Sequence, residues 1–230
     1  SSATANLDGD DYHNWDRESP MWQSVTHLDP RANRLFDLVN DLRNLLDGSA
    51  VSARSYDHLT GLFSAPKRKT SKNLILISGL HSLYLKSLVE EIDRSFYLMM
   101  DEKLRVSFKI KRDLNRGRSS DYTLNEVKKR EKDSEKYIQP QSKRADVIFN
   151  ILPVNSDDID NKSSDEIKLK LRVIIKSCPY YSELIRALIG LCNLQVNLND
   201  INGIGGVDIE IQGDVEKDEI RLATQMLAPH

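Results

Sequence analysis

Three aspartates are grouped in one short segment near the start of the chain, at Asp8, Asp10 and Asp11. They follow a short stretch that ends at Leu7, and the end of a strand is where α/β sheets place their ligands. A single carboxylate at such a place could take a proton from a substrate hydroxyl or help to hold a metal ion. A turn made of Asp and Gly needs no function, however, so this cluster alone leaves both interpretations open.

A second group of charged residues lies in segment 102–116, which is predicted to be a helix that ends at Gly117. Four of its residues are spaced at i, i+3, i+4 and i+7 and therefore share one face: Lys109, Arg112, Asp113 and Arg116. Three cations around one carboxylate are well suited to binding phosphate oxygens. The same spacing also fits a ladder of ion pairs along a solvated helix, and these residues alone do not decide between the two.

The composition is that of an ordinary folded protein. The 230 residues carry a formal net charge of −2, with 39% hydrophobic and 30% charged residues, which suits a globular chain with a sizeable core. No apolar run is long enough to span a membrane, and the first residues lack a signal pattern, so we expect a cytosolic protein with no membrane partner. Residues 101–150 are basic, with 14 Lys or Arg against 9 Asp or Glu. Because the rest of the chain is acidic, a nucleic-acid partner is not expected.

Strands and helices alternate along the first two thirds of the chain, which predicts a doubly wound α/β sheet. The apolar runs 73–78, 95–100 and 145–152 have the pattern of parallel strands that are buried on both faces. Apolar residues at helical spacing predict a helix over 31–46, and the charged segment 123–136 is predicted to be another.

The polar and acidic segment 154–166 interrupts this pattern and is predicted to be a linker or surface loop. Residues 1–153 are then an α/β core, and residues 167–230 are an α+β extension. In the extension the order of elements is strand, helix, strand, strand, helix, which predicts an antiparallel addition covered by helices on one side. It could extend the sheet or form the contact of a homodimer, and it offers no catalytic constellation.

Six motifs follow one another along the chain: Gly9-Asp-Asp-Tyr-His-Asn-Trp-Asp-Arg17, Thr26-His-Leu-Asp-Pro-Arg-Ala-Asn33, Tyr56-Asp-His-Leu-Thr-Gly61, Gly79-Leu-His-Ser-Leu-Tyr84, Lys109-Ile-Lys-Arg-Asp113 with Arg116-Gly117, and Lys129 to Pro140 before Ala145-Asp-Val147. Taken in order, these motifs resemble the phosphoribulokinase and uridine kinase family of P-loop kinases. They lie within residues 7–153, and their order and spacing make the resemblance specific. It implies a P-loop-kinase-like parallel sheet flanked by helices. It also implies ATP-dependent phosphoryl transfer, with Mg²⁺, to a hydroxyl of a sugar phosphate or nucleoside.

The resemblance also implies roles for individual residues. Asp10 would be the base that takes the proton from the acceptor hydroxyl, and it could help to hold the metal ion. His13, Arg17 and His58 would hold the phosphate and hydroxyls of the acceptor, which favours a phosphorylated sugar over a free nucleoside. A further group would bind phosphate oxygens: Arg112 and Arg116 as a clamp, completed by Lys109 and Asp113.

Two features depart from the family pattern. Ser78 stands at the end of a strand where the family usually has Glu. The phosphate-binding loop is absent, since the chain has no G-x-x-x-x-G-K-[ST] motif and only nine residues precede Asp10. The first strand of the sheet is then missing as well, which would leave ladder groups of its neighbours unpaired.

Two functions of different classes follow from these observations. The first is an ATP-dependent kinase of this family, present here as a piece without its nucleotide loop and therefore expected to bind ATP poorly. The second is a non-catalytic domain that binds a sugar phosphate or regulates another protein, derived from such a kinase. Ser78 is the residue that favours this second function.

Overall fold

The computed structural model describes residues 3–176, 181–200, 206–219 and 221–222. Strands alternate with helices along the chain, which confirms the α/β class predicted from the sequence. The chain divides into two compact units. The first unit comprises residues 1–93 and 128–144, and the second unit comprises residues 94–127 and 145–230.

The first unit is built around a pair of parallel strands. Its strands and helices are β1 (Thr4–Asp8), α1 (Leu35–Leu46), β2 (Val51–Ala53), β3 (Lys67–Lys69), β4 (Leu74–Ser78) and α2 (Lys86–Val89). β1 and β4 run parallel, with Thr4 opposite Leu74 and Asp8 opposite Ser78, whereas β2 and β3 form a separate antiparallel pair. Apolar side chains of β1, α1, β2 and α2 form the core of this unit.

The helix α1 turns an apolar stripe towards this core, as predicted, but it begins later than the sequence indicates. Its buried side chains recur at helical spacing: Leu35, Leu38, Val39, Leu42 and Leu45. The predicted start at residue 31 is wrong, because residues 30–32 form a 3₁₀ turn that the Asp29 side chain caps. Asn33 is extended, with φ −132° and ψ 143°, and bridges to His13, so the helix starts only at Leu35.

The strand β4 is covered on one face only. Ile75 and Ile77 pack against the core, while Leu74 and Leu76 on the other face are 58% and 55% exposed. The prediction that this strand is buried on both faces is therefore wrong, because no described element of the first unit packs against the second face. Among the described strands β4 pairs with β1 alone, which leaves its other edge unpaired.

The second unit contains a five-stranded mixed sheet. Its strands and helices are β5 (Phe96–Met100), α3 (Glu102–Leu114), α4 (Ser120–Asp133, whose last residues belong to the first unit), β6 (Val147–Pro153), α5 (Asp158–Asn161), β7 (Leu169–Ile175), α6 (Tyr181–Gly190), β8 (Gln195–Asp200) and β9 (Val207–Gln212). The strand order is β5-β6-β7-β9-β8, in which β5 and β6 are parallel and every other pair is antiparallel. The predicted antiparallel extension is thus confirmed, and it lengthens the sheet at β6.

The other end of this sheet is open. Among the described strands β5 pairs with β6 alone, and its Phe96 and Leu98 side chains are 59% and 79% exposed. The division of the chain at residues 153 and 166 stays a prediction. The predicted last helix lies partly outside the described residues. Within its described part, residues 217–219 and 221–222 are helical. No helix within the described ranges is long and apolar enough to cross a membrane.

Two glycines meet where β1 and β4 end. Gly9 follows β1 and Gly79 follows β4, so the parallel pairing brings both turns to the same end of the two strands. A Cβ at Gly79 would lie 2.8 Å from the Gly9 Cα, and Gly79 has φ +140°. Because both the backbone angle and the space exclude a side chain, the turn that carries Asp10 depends on this pair of glycines.

We expect Gly79→Ala to destabilise the protein more than Gly48→Ala does. Gly48 also has positive φ, +81°, but a Cβ there would meet nothing within 4 Å. Gly48→Ala should therefore cost only the left-handed backbone, about 1–2 kcal/mol of the free energy of unfolding. Gly79→Ala must in addition displace Gly9. Urea unfolding of the two variants measures the difference, and equal losses of stability would contradict the close approach.

Candidate active site

Asp10, the base implied by the sequence, lies where the sheet ends. It belongs to a 3₁₀ turn, Gly9–Tyr12, that follows β1 directly. The Asp8 side chain caps this turn by accepting a hydrogen bond from the backbone N–H of Asp10 at 3.1 Å. The turn therefore places Asp10 at the carboxyl end of a parallel strand, which is the usual ligand side of α/β sheets.

Two imidazoles flank the Asp10 carboxylate. His13 Nε2 is 3.3 Å from Oδ1, and His58 Nε2 is 3.5 Å from Oδ2. The Asp10 side chain is 30% exposed, so a substrate hydroxyl can reach it between the two rings. The structure thus brings together three residues that the sequence analysis names, although His58 comes from a separate loop.

The ring of His13 is held from several sides. Its Nδ1 lies 2.6 Å from Asn33 Oδ1, and the Arg54 guanidinium donates a hydrogen bond to the His13 carbonyl. The rings of Trp22 and Tyr56 contact it edge-on, with centroids 5.6 Å away. Sequence reasoning missed these four neighbours. The available signal was that Asn33 ends one of the matching motifs and Tyr56 begins another.

Electrostatic interactions keep Asp10 ionised. The hydrogen bond with His13 is the largest influence and lowers the pKa of Asp10 below its usual value, while partial burial acts in the opposite direction. The charges of His13, His58 and His27 lower this pKa further. Asp10 is therefore a carboxylate at neutral pH, which is the form that a general base requires.

Arg17 lies behind the loop that carries His58. Its two terminal nitrogens donate to the backbone carbonyls of His58, at 2.5 Å, and Leu59, at 3.1 Å. Its backbone N–H donates to the Gly61 carbonyl at 2.8 Å. Arg17 thus positions His58 through the loop backbone, and its contact with an acceptor phosphate stays a prediction.

A small cavity opens beside Asp10. Its lining includes Gly9, Asp10, His13, Asn33, Leu80 and His81. His81 is buried, and its Nε2 donates a hydrogen bond to the Leu28 carbonyl at 2.9 Å. This bond gives His81 a structural role.

The four charged residues of the predicted phosphate cluster lie in the second unit, on α3 and just after it. Arg112 is exposed and pairs with Asp113 at 3.2 Å. Asp113 is only 2% exposed and accepts a hydrogen bond from the Thr123 hydroxyl at 3.2 Å. Its carboxylate therefore ties α3 to α4 instead of facing solvent, whereas Arg116 is exposed and Lys109 is half-buried.

The acidic segment 154–166 meets part of the basic helix α3. Lys103 pairs with Asp160 at 3.4 Å, and Lys111 pairs with Asp165. These contacts engage two of the cations of the basic segment 101–150. The segment predicted as a linker thus packs against α3 of the same unit through charged side chains.

The described residues do not fit a magnesium site by themselves. Within the described ranges no group of three or more His, Cys, Asp or Glu residues could hold a metal ion, and each Asp10 oxygen faces an imidazole. Ser78, opposite Asp8 in the sheet, offers a hydroxyl in place of a carboxylate. The 230 residues also contain no G-x-x-x-x-G-K-[ST] motif, whose backbone amides and lysine would bind ATP phosphates.

Comparison with known proteins gives a consistent result for most of the chain. A sequence model described as the phosphoribulokinase / uridine kinase family matches residues 2–157. The phosphoribulokinase of Synechocystis sp. is 34% identical over 163 residues, which are 70% of this chain and 48% of that protein. The chloroplastic phosphoribulokinase of Chlamydomonas reinhardtii is 33% identical over 168 residues, 73% of this chain and 44% of that protein. The chain therefore spans about half the length of these relatives.

Two further similarities are weaker in sequence. The uridine kinase of Ligilactobacillus salivarius is 28% identical over 147 residues, which are 62% of this chain and 69% of that protein. The solved structure of phosphoribulokinase from Rhodobacter spheroides superposes with a TM-score of 0.73. It covers 97% of this chain and 84% of that one at 19% sequence identity, so it supports the fold.

Replacing the three histidines near Asp10 should raise its pKa by graded amounts. His13→Ala removes both a hydrogen bond and a charge, His58→Ala removes the next largest electrostatic influence, and His27→Ala removes the smallest. The pKa of Asp10 should therefore rise most in the first variant and least in the third. Carboxyl ¹³C NMR titration of Asp10 measures this order. A shift with His27→Ala as large as with His13→Ala would contradict the assigned geometry.

Proposed function

Since this chain belongs to the phosphoribulokinase / uridine kinase family, we propose that the complete protein transfers a phosphoryl group from ATP to a hydroxyl of a phosphorylated sugar. The observation that carries the proposal is the ionised Asp10, placed at the end of β1 between two imidazoles. Phosphoryl transfer requires positioning and charge neutralisation more than covalent catalysis, and a carboxylate with flanking imidazoles suits the acceptor side.

On this proposal Asp10 accepts the proton of the acceptor hydroxyl as its oxygen attacks phosphorus. His13 and His58 hold the hydroxyls and phosphate of the acceptor, and Arg17 supports His58 from behind. Histidine and arginine around the acceptor favour a phosphorylated sugar over an uncharged nucleoside. The Synechocystis and Chlamydomonas relatives, at 34% and 33% identity, are phosphoribulokinases, which points in the same direction.

Arg112 and Arg116, which belong to the second unit, are proposed to clamp phosphate oxygens together with Lys109. The guanidinium of Arg112 forms an ion pair with the buried Asp113. It is exposed, and its remaining N–H groups could donate hydrogen bonds to a phosphate. Asp113 contributes to this group by holding α3, because its own carboxylate is buried. Mg²⁺ is proposed as the cofactor on the strength of the family.

We propose further that the strand and loop that bind ATP belong to a part of the protein outside this sequence. β4 and β5 each have one described partner strand, and both expose large apolar side chains, including Leu76 and Leu98. Parallel sheets are normally covered on both faces. The proposed strand would pair with β4, and the loop that follows it would bind the phosphates of ATP.

The second candidate is a non-catalytic domain that binds a sugar phosphate or regulates a partner. Ser78 favours it, because a hydroxyl replaces the carboxylate that the family places at this strand end. The acceptor side of the site would persist in such a domain. A cytosolic location and a homodimer also remain proposals, and some of the relatives are chloroplastic enzymes.

The kinase and the binding domain differ in what Asp10→Asn does to the complete protein. In a kinase this change should lower ATP-dependent phosphorylation of ribulose 5-phosphate by about 10²–10⁴-fold, because the base is lost. Calorimetric binding of ribulose 5-phosphate should change little. Asp37→Asn, on the exposed side of α1, is the control and should keep full activity.

Two outcomes would contradict the kinase proposal. Full activity of the Asp10→Asn protein would remove the assigned base. Binding of ribulose 5-phosphate by the unaltered complete protein without any ATP turnover would support the non-catalytic domain instead. Uridine, tested in parallel, distinguishes a nucleoside acceptor.

Arg112→Ala tests the phosphate clamp. Loss of charged hydrogen bonds should raise the KM of at least one phosphate-bearing substrate about tenfold or more. Arg105→Ala is a matched control, since Arg105 is also on α3 and also exposed, and it pairs with Glu102. Steady-state kinetics of the two complete proteins gives the comparison, and equal KM changes would rule out a specific role for Arg112.

A further inference from the structure

The carboxylate of Asp11, the residue after the proposed base, is buried and has a partner at each oxygen. Its Oδ1 accepts a hydrogen bond from the backbone N–H of Tyr56 at 2.7 Å. Its Oδ2 lies 3.2 Å from Nζ of Lys69. Because the Asp11 side chain is only 8% exposed, a substrate has little access to it, and its contacts lie within the protein.

The ammonium group of Lys69 connects this carboxylate to two strands. Lys69 is the last residue of β3, which pairs antiparallel with β2, and it lies opposite Val51. Its Nζ also donates a hydrogen bond to the Asn6 carbonyl of β1 at 3.1 Å. The strand β2 ends at Ala53, and the chain continues from there into the loop that carries His58. The ion pair therefore fastens the start of that loop to β1 and to the turn after it.

Tyr56, whose backbone Asp11 holds, lies against both imidazoles of the site. Its ring centroid is 5.6 Å from that of His13 and 5.2 Å from that of His58, and both contacts are edge-on. Tyr56 also bridges to Phe63 on the returning side of the loop. Because Tyr56 precedes His58 by two residues, the bond from its N–H to Asp11 fixes the backbone that leads to His58.

We propose that Asp11 is a positioning residue, which places His58 beside Asp10 by holding the backbone of Tyr56. The inference rests on the proposed function, in which His58 binds the acceptor. The loop is then held from its N–H side by Asp11 and from its carbonyl side by Arg17. A hydrogen bond to a carboxylate is roughly twice as strong as one between neutral groups, so Asp11 is well suited to this task.

Amide hydrogen exchange tests the contact without any activity. In the complete ¹⁵N-labelled protein, Asp11→Ala should speed exchange of the Tyr56 amide about tenfold or more, because that N–H loses its acceptor. The Ser64 amide donates to the Ser55 carbonyl at 2.8 Å in the same loop, so it is the internal reference and should keep its rate. An unchanged rate at Tyr56, or equal acceleration at both amides, would overturn the inference.

Asp41→Ala is the matched control, since it also removes a carboxylate that accepts a hydrogen bond from the turn after β1. Asp41 Oδ2 accepts from the Tyr12 hydroxyl at 2.8 Å, a bond that does not involve the loop of His58. Urea unfolding should show a loss of stability in both variants. Fast exchange of the Tyr56 amide should be confined to Asp11→Ala, and its appearance in both variants would contradict the positioning role.

Kinetics of the complete protein tests whether Asp11 acts through His58. Asp11→Ala should raise the KM of ribulose 5-phosphate about tenfold, because a displaced His58 no longer bonds the acceptor, and it should change the KM of ATP less. Asp41→Ala should leave both KM values unchanged. When Asp11→Ala is added to His58→Ala, it should have little further effect on the KM of ribulose 5-phosphate, since the residue through which it acts is already gone.

The outcomes separate this inference from the proposed function. Independent, multiplying effects of Asp11→Ala and His58→Ala on the KM of ribulose 5-phosphate would overturn the inference while the kinase proposal stands. Absence of ATP turnover in the unaltered complete protein would refute the proposed function. Calorimetric affinity for ribulose 5-phosphate then replaces KM in the same comparison of single and double variants, and equal affinities of the unaltered protein and Asp11→Ala would overturn the inference as well.

Discussion

The parallel pairing of β1 with β4 is the constraint on which the rest of the first unit depends. It places the ends of two strands side by side, so the chain must leave both in turns that occupy nearly the same space. Glycines at positions 9 and 79 allow the two turns to approach this closely, because neither residue has a side chain. The turn after β1 then places Asp10 between His13, which directly follows the same turn, and His58, which comes from a separate loop. The carboxylate is therefore positioned by backbone geometry, and these two side chains lower its pKa.

Local sequence patterns were sufficient for much of this architecture. The apolar runs located the parallel strands within a few residues, and the order of elements in 167–230 predicted the antiparallel addition to the sheet, because these signals lie in the local sequence. Exposure of one face of β4 could not be anticipated from its own residues. Whether an apolar run is covered depends on its neighbours in space, and no described element of the first unit covers Leu76.

At the site, too, features of the local sequence could be predicted, whereas contacts between residues far apart in the chain could not. A carboxylate after a strand marks Asp10 as a candidate base, and the family motifs add His13 and His58. The contact of Asn33 with His13 was not predictable, because it joins two side chains that are 20 positions apart in the chain. For Asp113 the local pattern was misleading. Helical spacing predicted a place beside three cations at the surface, but the carboxylate is buried and accepts a hydrogen bond from Thr123 on the next helix.

Arg17 and Gly61 have a consequence for how this loop can vary among related sequences. A Cβ at position 61 would lie 2.5 Å from the Arg17 Cβ, and Gly61 has φ +78°. Position 61 is therefore closed to side chains, because the nearest atom is a Cβ that any residue other than glycine also carries at position 17, and because the backbone angle is positive. Replacing Arg17 would accordingly remove the support of the His58 loop and still leave the requirement for glycine at position 61.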